Sequence, residues 1–258
     1  MNMIQNIEPA KRYKLAPLFK DHRPHFIMDA IIEGHLGVAL ANDLENPCVA
    51  QLAYADVVSL GGDPEHPVAR QFVEQLPVDK GILPLPEEWH ELLQQVHGER
   101  LISIERFSFS GEQLDIDHLR SLQATLPEGF RIERIDLDLA RQIEADSSLI
   151  SEDHVRNFNS PEDFVERGIG FCVLDGERIV SGASSYAICN KGIEIQVNTH
   201  PDYRQRGLAT VVSAALLVYC LQHDIEAPWD AGNPESVKLA EKLGYLEVGS
   251  YEMLVRIE

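Results

Sequence analysis

The chain lacks any run approaching the 18 consecutive apolar residues of a membrane span. An α-helical membrane protein is therefore excluded. Basic residues are scarce: 22 Lys and Arg face 42 Asp and Glu, a formal net charge of −20. Phosphate neutralisation needs clustered cations, so no nucleic-acid partner is expected. The same charge opposes docking on an anionic membrane, so no membrane partner is expected either. Cysteine is sparse. Cys48, Cys172, Cys189 and Cys220 are widely spaced, no CxxC pair occurs, and each sits among apolar neighbours. Free buried thiols in a reducing cytoplasm are expected. Met1 to Tyr13 holds no apolar run followed by a small-residue cleavage site, so no signal peptide is expected. There is no low-complexity tract and no repeat with a period of 20 to 50 residues.

What is present is an ordinary globular composition: 258 residues, 44% hydrophobic and 25% charged, enough for one or two domains. The pattern is mixed α/β throughout. The first third reads as a helix over 9–19, strands over 37–41 and 48–54, and a hard break at Gly61 to Pro64. Helices follow over 67–76 and 87–96, with a three-proline loop over 77–86 between them. A strand over 101–107 and a helix over 115–126 complete this part. Pro127 to Gly129 punctuates the chain, and domains of 1–128 and 129–258 are expected. The second part restarts with a strand over 130–135 and a helix from Asp138. Ser160, Pro161 and Asp163 carry the signature of a helix start. A hairpin turns at Asp175 and Gly176. Then come a strand over 193–199, an apolar helix over 207–222, a short strand over 227–230, a helix over 233–243 closed by Gly244, and a final strand or strands over 245–257.

The chemistry shows best at the junction after Thr199. A strand ends, His200 to Tyr203 turn, and Gly207 and Ala209 open an apolar helix. The order aims unpaired amides of a helix N-terminus back toward the strand end, which suits a pyrophosphate or another anion. Glycine lets an anion approach the backbone, and Arg204 and Arg206 add positive charge. Neither GxxxxGK[ST] nor GxGxxG is present. The bland alternative is a tight strand-to-helix turn that needs small residues for packing.

A second strand–loop–helix follows, from Pro228 through Asn233 and Ser236 to Gly244 and Tyr245. Together the two segments resemble the GNAT superfamily of acyl-CoA-dependent N-acetyltransferases. Arg204, Gly207 and Ala209 match its [Gln/Arg]-x-x-Gly-x-[Gly/Ala] loop. Asn233, Ser236, Glu241, Lys242, Gly244 and Tyr245 match its last helix. Ile193 to Thr199, Arg206 to Thr210 and Pro228 to Asn233 look like the zwittermicin A resistance branch, in which an N-terminal α/β region precedes the transferase domain. The resemblance implies a mixed α/β (α+β) fold with a splayed central sheet, and acetyl-CoA as co-substrate without a metal. It implies that the backbone of Val197 and Thr199, with Asn198 between them, meets the pantetheine arm. The amides of Gln205, Arg206, Gly207, Leu208, Ala209 and Thr210 would hold the pyrophosphate beside Arg204. Asn233 and Ser236 would lie near the pantetheine or thioester. The acetyl group would sit where the strands ending at Thr199 and Asp230 part.

Transfer needs a base for the incoming ammonium. Glu194 is the first candidate. It shares a strand face with Gln196 and Asn198, opposite Ile193, Ile195 and Val197. A salt-bridged strand carboxylate is the alternative. Asp230 is the second candidate, with a turn cap before Gly232 as its alternative. Many relatives carry a thiol-protonating Tyr seven residues after the Asn; here that position is Ala240. Trp229 either walls the acceptor cleft or packs beneath it. His22 with His25, Ser184 with Ser185, and His200 read as structural. The expected function is N-acetyl transfer to a small-molecule amine in the cytoplasm, in a chain compatible with a homodimer. A non-catalytic acyl-CoA sensor and a structural platform are the rivals.

Overall fold

The computed structural model describes residues 4–22, 25–145 and 154–258. In order, the elements are β1 (Gln5–Asn6), a 3-10 segment (Pro9–Phe19), α1 (Phe26–Ile32), β2 (Val38–Ala41), β3 (Val49–Tyr54), β4 (Val57–Gly62), α2 (Ala69–Glu74), β5 (Gly81–Ile82), α3 (Glu87–His97) and β6 (Leu101–Ser110). Then follow α4 (Ile116–Gln123), β7 (Phe130–Arg134), α5 (Leu137–Ala145), α6 (Pro161–Arg167), β8 (Gly170–Asp175), β9 (Arg178–Ile188), β10 (Ile193–Thr199), α7 (Leu208–Gln222), β11 (Trp229–Ala231), α8 (Pro234–Leu243) and β12 (Leu246–Arg256). The mixed α/β class is as the sequence implied. No described helix is long and apolar enough to cross a membrane.

Two compact units form: Met1–Arg106 with Ser250–Glu258, and Phe107–Gly249. In the first unit β1 to β4 pair antiparallel in sequence order, β4 pairs in parallel with β5, and β5 pairs antiparallel with the end of β12. Its core gathers Phe72, Leu76, Trp89, Leu93 and Leu60. In the second unit β7 to β10 pair antiparallel in sequence order, and β11 pairs antiparallel with β6 at Phe107 to Phe109. The turn at Pro127 to Gly129 lies inside this second unit, because Leu119 of α4 is fully buried in its core and Leu122 packs against it.

α7 organises that core. It is apolar on every side, so it must be covered all round. Leu208, Val212, Leu216, Leu217 and Cys220 are buried. The helix therefore holds its own N-terminus rigidly beside the end of β10.

The sequence pattern missed four elements, the two-residue β1 among them, and mistyped one. α1 and β5 are short, and β4 carries two terminal glycines that read as a break. Gly61 belongs to the strand because a Cβ there would stand 2.7 Å from the Phe19 ring. The Pro9–Phe19 segment is a 3-10 coil with Pro17 inside it. Proline removes an α-helical donor, so the tighter winding prevails. Cys172 and Cys220 are buried, and burial pushes each thiol up to about 12. Cys48 is exposed, against expectation, because it precedes β3 in the turn that Asn42 organises.

His154 is fully buried. Its Nδ1 lies 2.7 Å from Ser184 Oγ, and Nε2 finds no partner among the described residues. Burial lowers its pKa from 6.5 to about 4. The unfolded chain takes up a proton as pH falls through 6.5, and the folded chain does not until about 4. Stability is therefore undiminished above 6.5 and drops between 6.5 and 4, by about 3 kcal/mol at most. His154→Gln should remove this part of the acid limb, read as the difference in Tm between variant and parent from pH 7 to 4. An unchanged difference across that range would show that His154 titrates normally.

Candidate functional site

The sheet of the second unit opens at one place. Gly192 forms a parallel bridge with Glu226. The Ile193 N–H donates to Glu226 O at 2.9 Å, and the Glu226 N–H donates to Lys191 O at 3.1 Å. A Cβ on Gly192 would fall 1.8 Å from Glu226 O, so only glycine permits this approach. Beyond the bridge the strands part: β10 stays with β9, and β11 goes to β6. Pro228, with no N–H, lies where the pairing fails.

The parting leaves an unpaired edge on β10. The Ile193 N–H points to Glu226, and the His200 N–H points to Val180 O on the opposite side. Alternate residues of an extended strand share an edge. Ile195, Val197 and Thr199 thus present their backbone groups away from β9. The Thr199 carbonyl already accepts from Arg204 Nε at 3.2 Å. Asn198 faces the other way, its carbonyl accepting from Ser181 Oγ at 3.1 Å.

The loop beyond Thr199 adopts the conformation that gathers amides. Gln205 and Gly207 both have positive φ, +62° and +80°. Left-handed residues alternating with right-handed ones curl successive N–H groups into a concave nest. Among the described residues, the amides from Gln205 to Thr210 make no hydrogen bond to a side chain and no well-aligned one to a carbonyl outside α7; only the turn at Arg204 and Gln205 engages one of them loosely. The first internal bond of α7 is Val211 N–H to Gly207 O, 3.2 Å. Leu208 beneath is buried, yet a Cβ on Gly207 would meet nothing within 4 Å. Packing is thus not what demands a glycine there; backbone conformation and open space are.

Arginines gather at this loop in an acidic protein, with Arg204 held on the Thr199 carbonyl. Arg206 lies 4.9 Å from the Tyr203 ring centre and donates to Asp202 O at 3.1 Å. Arg178 lies 5.6 Å from the same ring and donates to His200 Nε2 at 2.8 Å. Tyr203 donates its hydroxyl to Asp175 at 2.9 Å. Sequence reasoning missed Arg178. It sits 22 residues before His200, and only the β8–β9 hairpin brings it to the loop.

Asn233 caps α8: its Oδ1 accepts the Ser236 N–H at 2.8 Å. Its amide nitrogen is what remains to reach a ligand. Ser236 Oγ accepts from Trp229 Nε1 at 3.0 Å. Trp229 is buried in the core, so it packs beneath the cleft. Asn233→Ala should cost about 1 kcal/mol of stability, the usual value of a cap. Asn233→Ser keeps the cap and loses only the amide donor. If the amide serves a ligand, the serine variant binds acetyl-CoA more weakly at an unchanged Tm; equal affinity would reduce Asn233 to its cap.

The two candidate bases stand on either side of the split. Glu194 lies two residues beyond the bridge at Gly192 and is 8% exposed. The β9–β10 register shifts between Glu194 and Ile195. Ile193, Ile195 and Val197 pack on the α7 core, which leaves Glu194 and Gln196 on the reverse face. Gln196 pairs there with Ser184, the partner of His154. Asp230 sits mid-strand in β11, paired with Ser108, rather than capping a turn. Ala240 is fully buried in the core. The Tyr245 hydroxyl donates to Ala227 O at 2.6 Å, and burial raises its pKa well above the usual value. It is a core group. Among the described residues no group of three or more His, Cys, Asp and Glu could hold a metal ion.

Comparison with known proteins agrees with this geometry. The model of the GNAT acetyltransferase family matches residues 16–254. A crystal structure of a GCN5-related N-acetyltransferase-like protein from Streptococcus suis 89/1591 is 32% identical, with a TM-score of 0.82, covering 95% of this chain and 98% of that one. The uncharacterized N-acetyltransferase YdfB of Bacillus subtilis (strain 168) is 26% identical over 262 residues, 97% of this chain and 98% of its own. An acetyltransferase of the GNAT family from Colwellia psychrerythraea shares the fold at 8% identity, with a TM-score of 0.57 and 99% and 100% of the two chains covered.

Proposed function

This chain belongs to the GNAT acetyltransferase family, and we propose that it transfers the acetyl group of acetyl-CoA to a primary amine of a small molecule. The observation that carries the reading is the nest at Gln205 to Thr210. Among the described residues its consecutive amides are largely uncommitted, and it opens onto clear space beside a split sheet. The residues present fit a diphosphate. Backbone donors and the positive end of α7 face it, Arg204 and Arg206 flank it, and Gly207 keeps a side chain out of its place. The free edge at Val197 and Thr199 suits an amide-bearing arm, which would add to β10 as a further strand. Asn233 offers its amide nitrogen near the far end of that arm.

Bound acetyl-CoA supplies an activated carbonyl; the chain supplies positioning and a proton acceptor. Glu194 is our base, since its carboxylate lies just past the apex of the split, on the polar face of β10. There it attracts an ammonium and accepts its proton before attack, directly or through water. The Ser184, Gln196 and Asn198 side of the sheet favours a polar amine. By the likeness of its central motifs we place the chain in the zwittermicin A resistance-type branch, working in the cytoplasm without a metal.

One observation favours a second reading, a protein that binds acyl-CoA without turning it over. Ala240 occupies the position of the usual acid, and the nearby Tyr245 hydroxyl is buried and engaged. Thiol release measured across an amine panel separates the two. Turnover above background with any amine establishes the transferase, and binding without turnover establishes the sensor. Absence of binding at millimolar acetyl-CoA would end both.

A further inference from the structure

The element order runs twice along the chain, although no sequence repeat announces it. β1, the Pro9–Phe19 segment, α1, β2, β3, β4, α2, β5, α3 and β6 have counterparts in β7, α5, α6, β8, β9, β10, α7, β11, α8 and β12, in that order. α4 alone has no counterpart and serves as the linker. The pairings repeat as well. Each half builds a four-strand antiparallel ladder in sequence order. In each, the fourth strand then meets the following segment in parallel at its own beginning: Val57 with Gly81, and Gly192 with Glu226. The final strands are exchanged: the end of β12 pairs with β5, and β6 pairs with β11.

We propose that the first half is a second copy of the acetyltransferase fold whose donor loop has been closed by its own groups, so that the chain takes one acyl-CoA. The count of one rests on the donor reading given above. The closure rests on the loop after β4, which corresponds to the loop after β10.

The amides, the charge balance and the helix of the donor nest all differ there. Pro64 and Pro67 have no N–H to offer. The Glu65 N–H donates to Asp63 Oδ1 at 2.9 Å, and the His66 N–H to Asp63 O at 3.2 Å. The Val68 N–H donates to His66 Nδ1 at 3.2 Å, and the Ala69 N–H to His66 O at 2.8 Å. The Gln71 N–H donates to Val68 O at 3.0 Å. These amides are consumed internally, whereas those of Gln205 to Thr210 are largely uncommitted among the described residues. Charge differs too: the first loop carries Asp63 and Glu65 and no Arg or Lys before α2, whereas the second carries Arg204 and Arg206 beside a single acid, Asp202, and carboxylates repel a phosphate. The helix that follows is also short, six residues against fifteen, and has little dipole to offer.

Amide hydrogen exchange on the full chain, free and with saturating acetyl-CoA, tests this. In the free protein, 65–71 should exchange at least about tenfold more slowly than 205–210, after correction for intrinsic rates. Equal, fast exchange would overturn the closure whether or not acetyl-CoA binds. With acetyl-CoA, new protection should appear over 205–210 and not over 63–71, and calorimetry should count one site per chain. Protection of 63–71, or two sites, would overturn the proposal. If no protection appeared anywhere, the donor reading would fall, while the exchange contrast in the free protein would still decide whether the first loop is closed.

Discussion

Gly207→Val abolishes measurable acetyl-CoA binding, by our expectation a loss of at least about 100-fold, or roughly 2.7 kcal/mol. Two effects combine. The residue holds φ at +80°, where an L side chain costs roughly 1–2 kcal/mol. The branched side chain also projects into the space where a diphosphate would approach the amides. Gly207→Ala separates them, since it imposes the backbone cost with a single added carbon and should bind with intermediate affinity. Calorimetry gives the affinities, and thermal melts show whether the variants remain folded. A folded Gly207→Val that binds within threefold of the parent would remove the loop from the donor site.

The second large effect concerns the base. Glu194→Gln should lower kcat by about 10²- to 10⁴-fold, the usual worth of a positioned proton acceptor. KM for acetyl-CoA should stay within threefold, because Glu194 lies at the apex and the nest lies at the far end of β10. The acid limb of the kcat/KM profile should vanish with the carboxylate. Asp230→Asn serves as the comparison. Asp230 is held mid-ladder opposite Ser108, so its replacement should cost far less. If Asp230→Asn is the crippled variant and Glu194→Gln is not, the roles are exchanged. If the Glu194→Gln profile keeps its acid limb, the carboxylate is structural.

The second half was far more legible in the sequence than the first, for physical reasons. The strand over 193–199 alternates cleanly because one face packs on α7 and the other is polar. Ser160 and Asn233 announce their helices because a cap is a local bond between a side chain and the third amide after it. β4 was illegible because its two glycines are dictated by Phe19 and by the Cys48 carbonyl, neighbours that the local pattern cannot show. The donor loop could be read because its requirements lie within a few consecutive residues. Arg178, the His154–Ser184 contact and the tie at Gly192 could not, because each joins residues separated by 22 to 34 positions. The duplicated path was hidden for the same reason: it survives in strand pairing, not in residue identity.

Gly192 has a consequence for how such a protein can diversify. The two parting strands behave like the legs of a pair of compasses, and this glycine is the pin. Residues along the legs can be exchanged to admit different acceptors without altering the angle between them. A side chain at the pin would change every distance down the opening at once, so new specificities can be expected to arise along the legs and not at position 192.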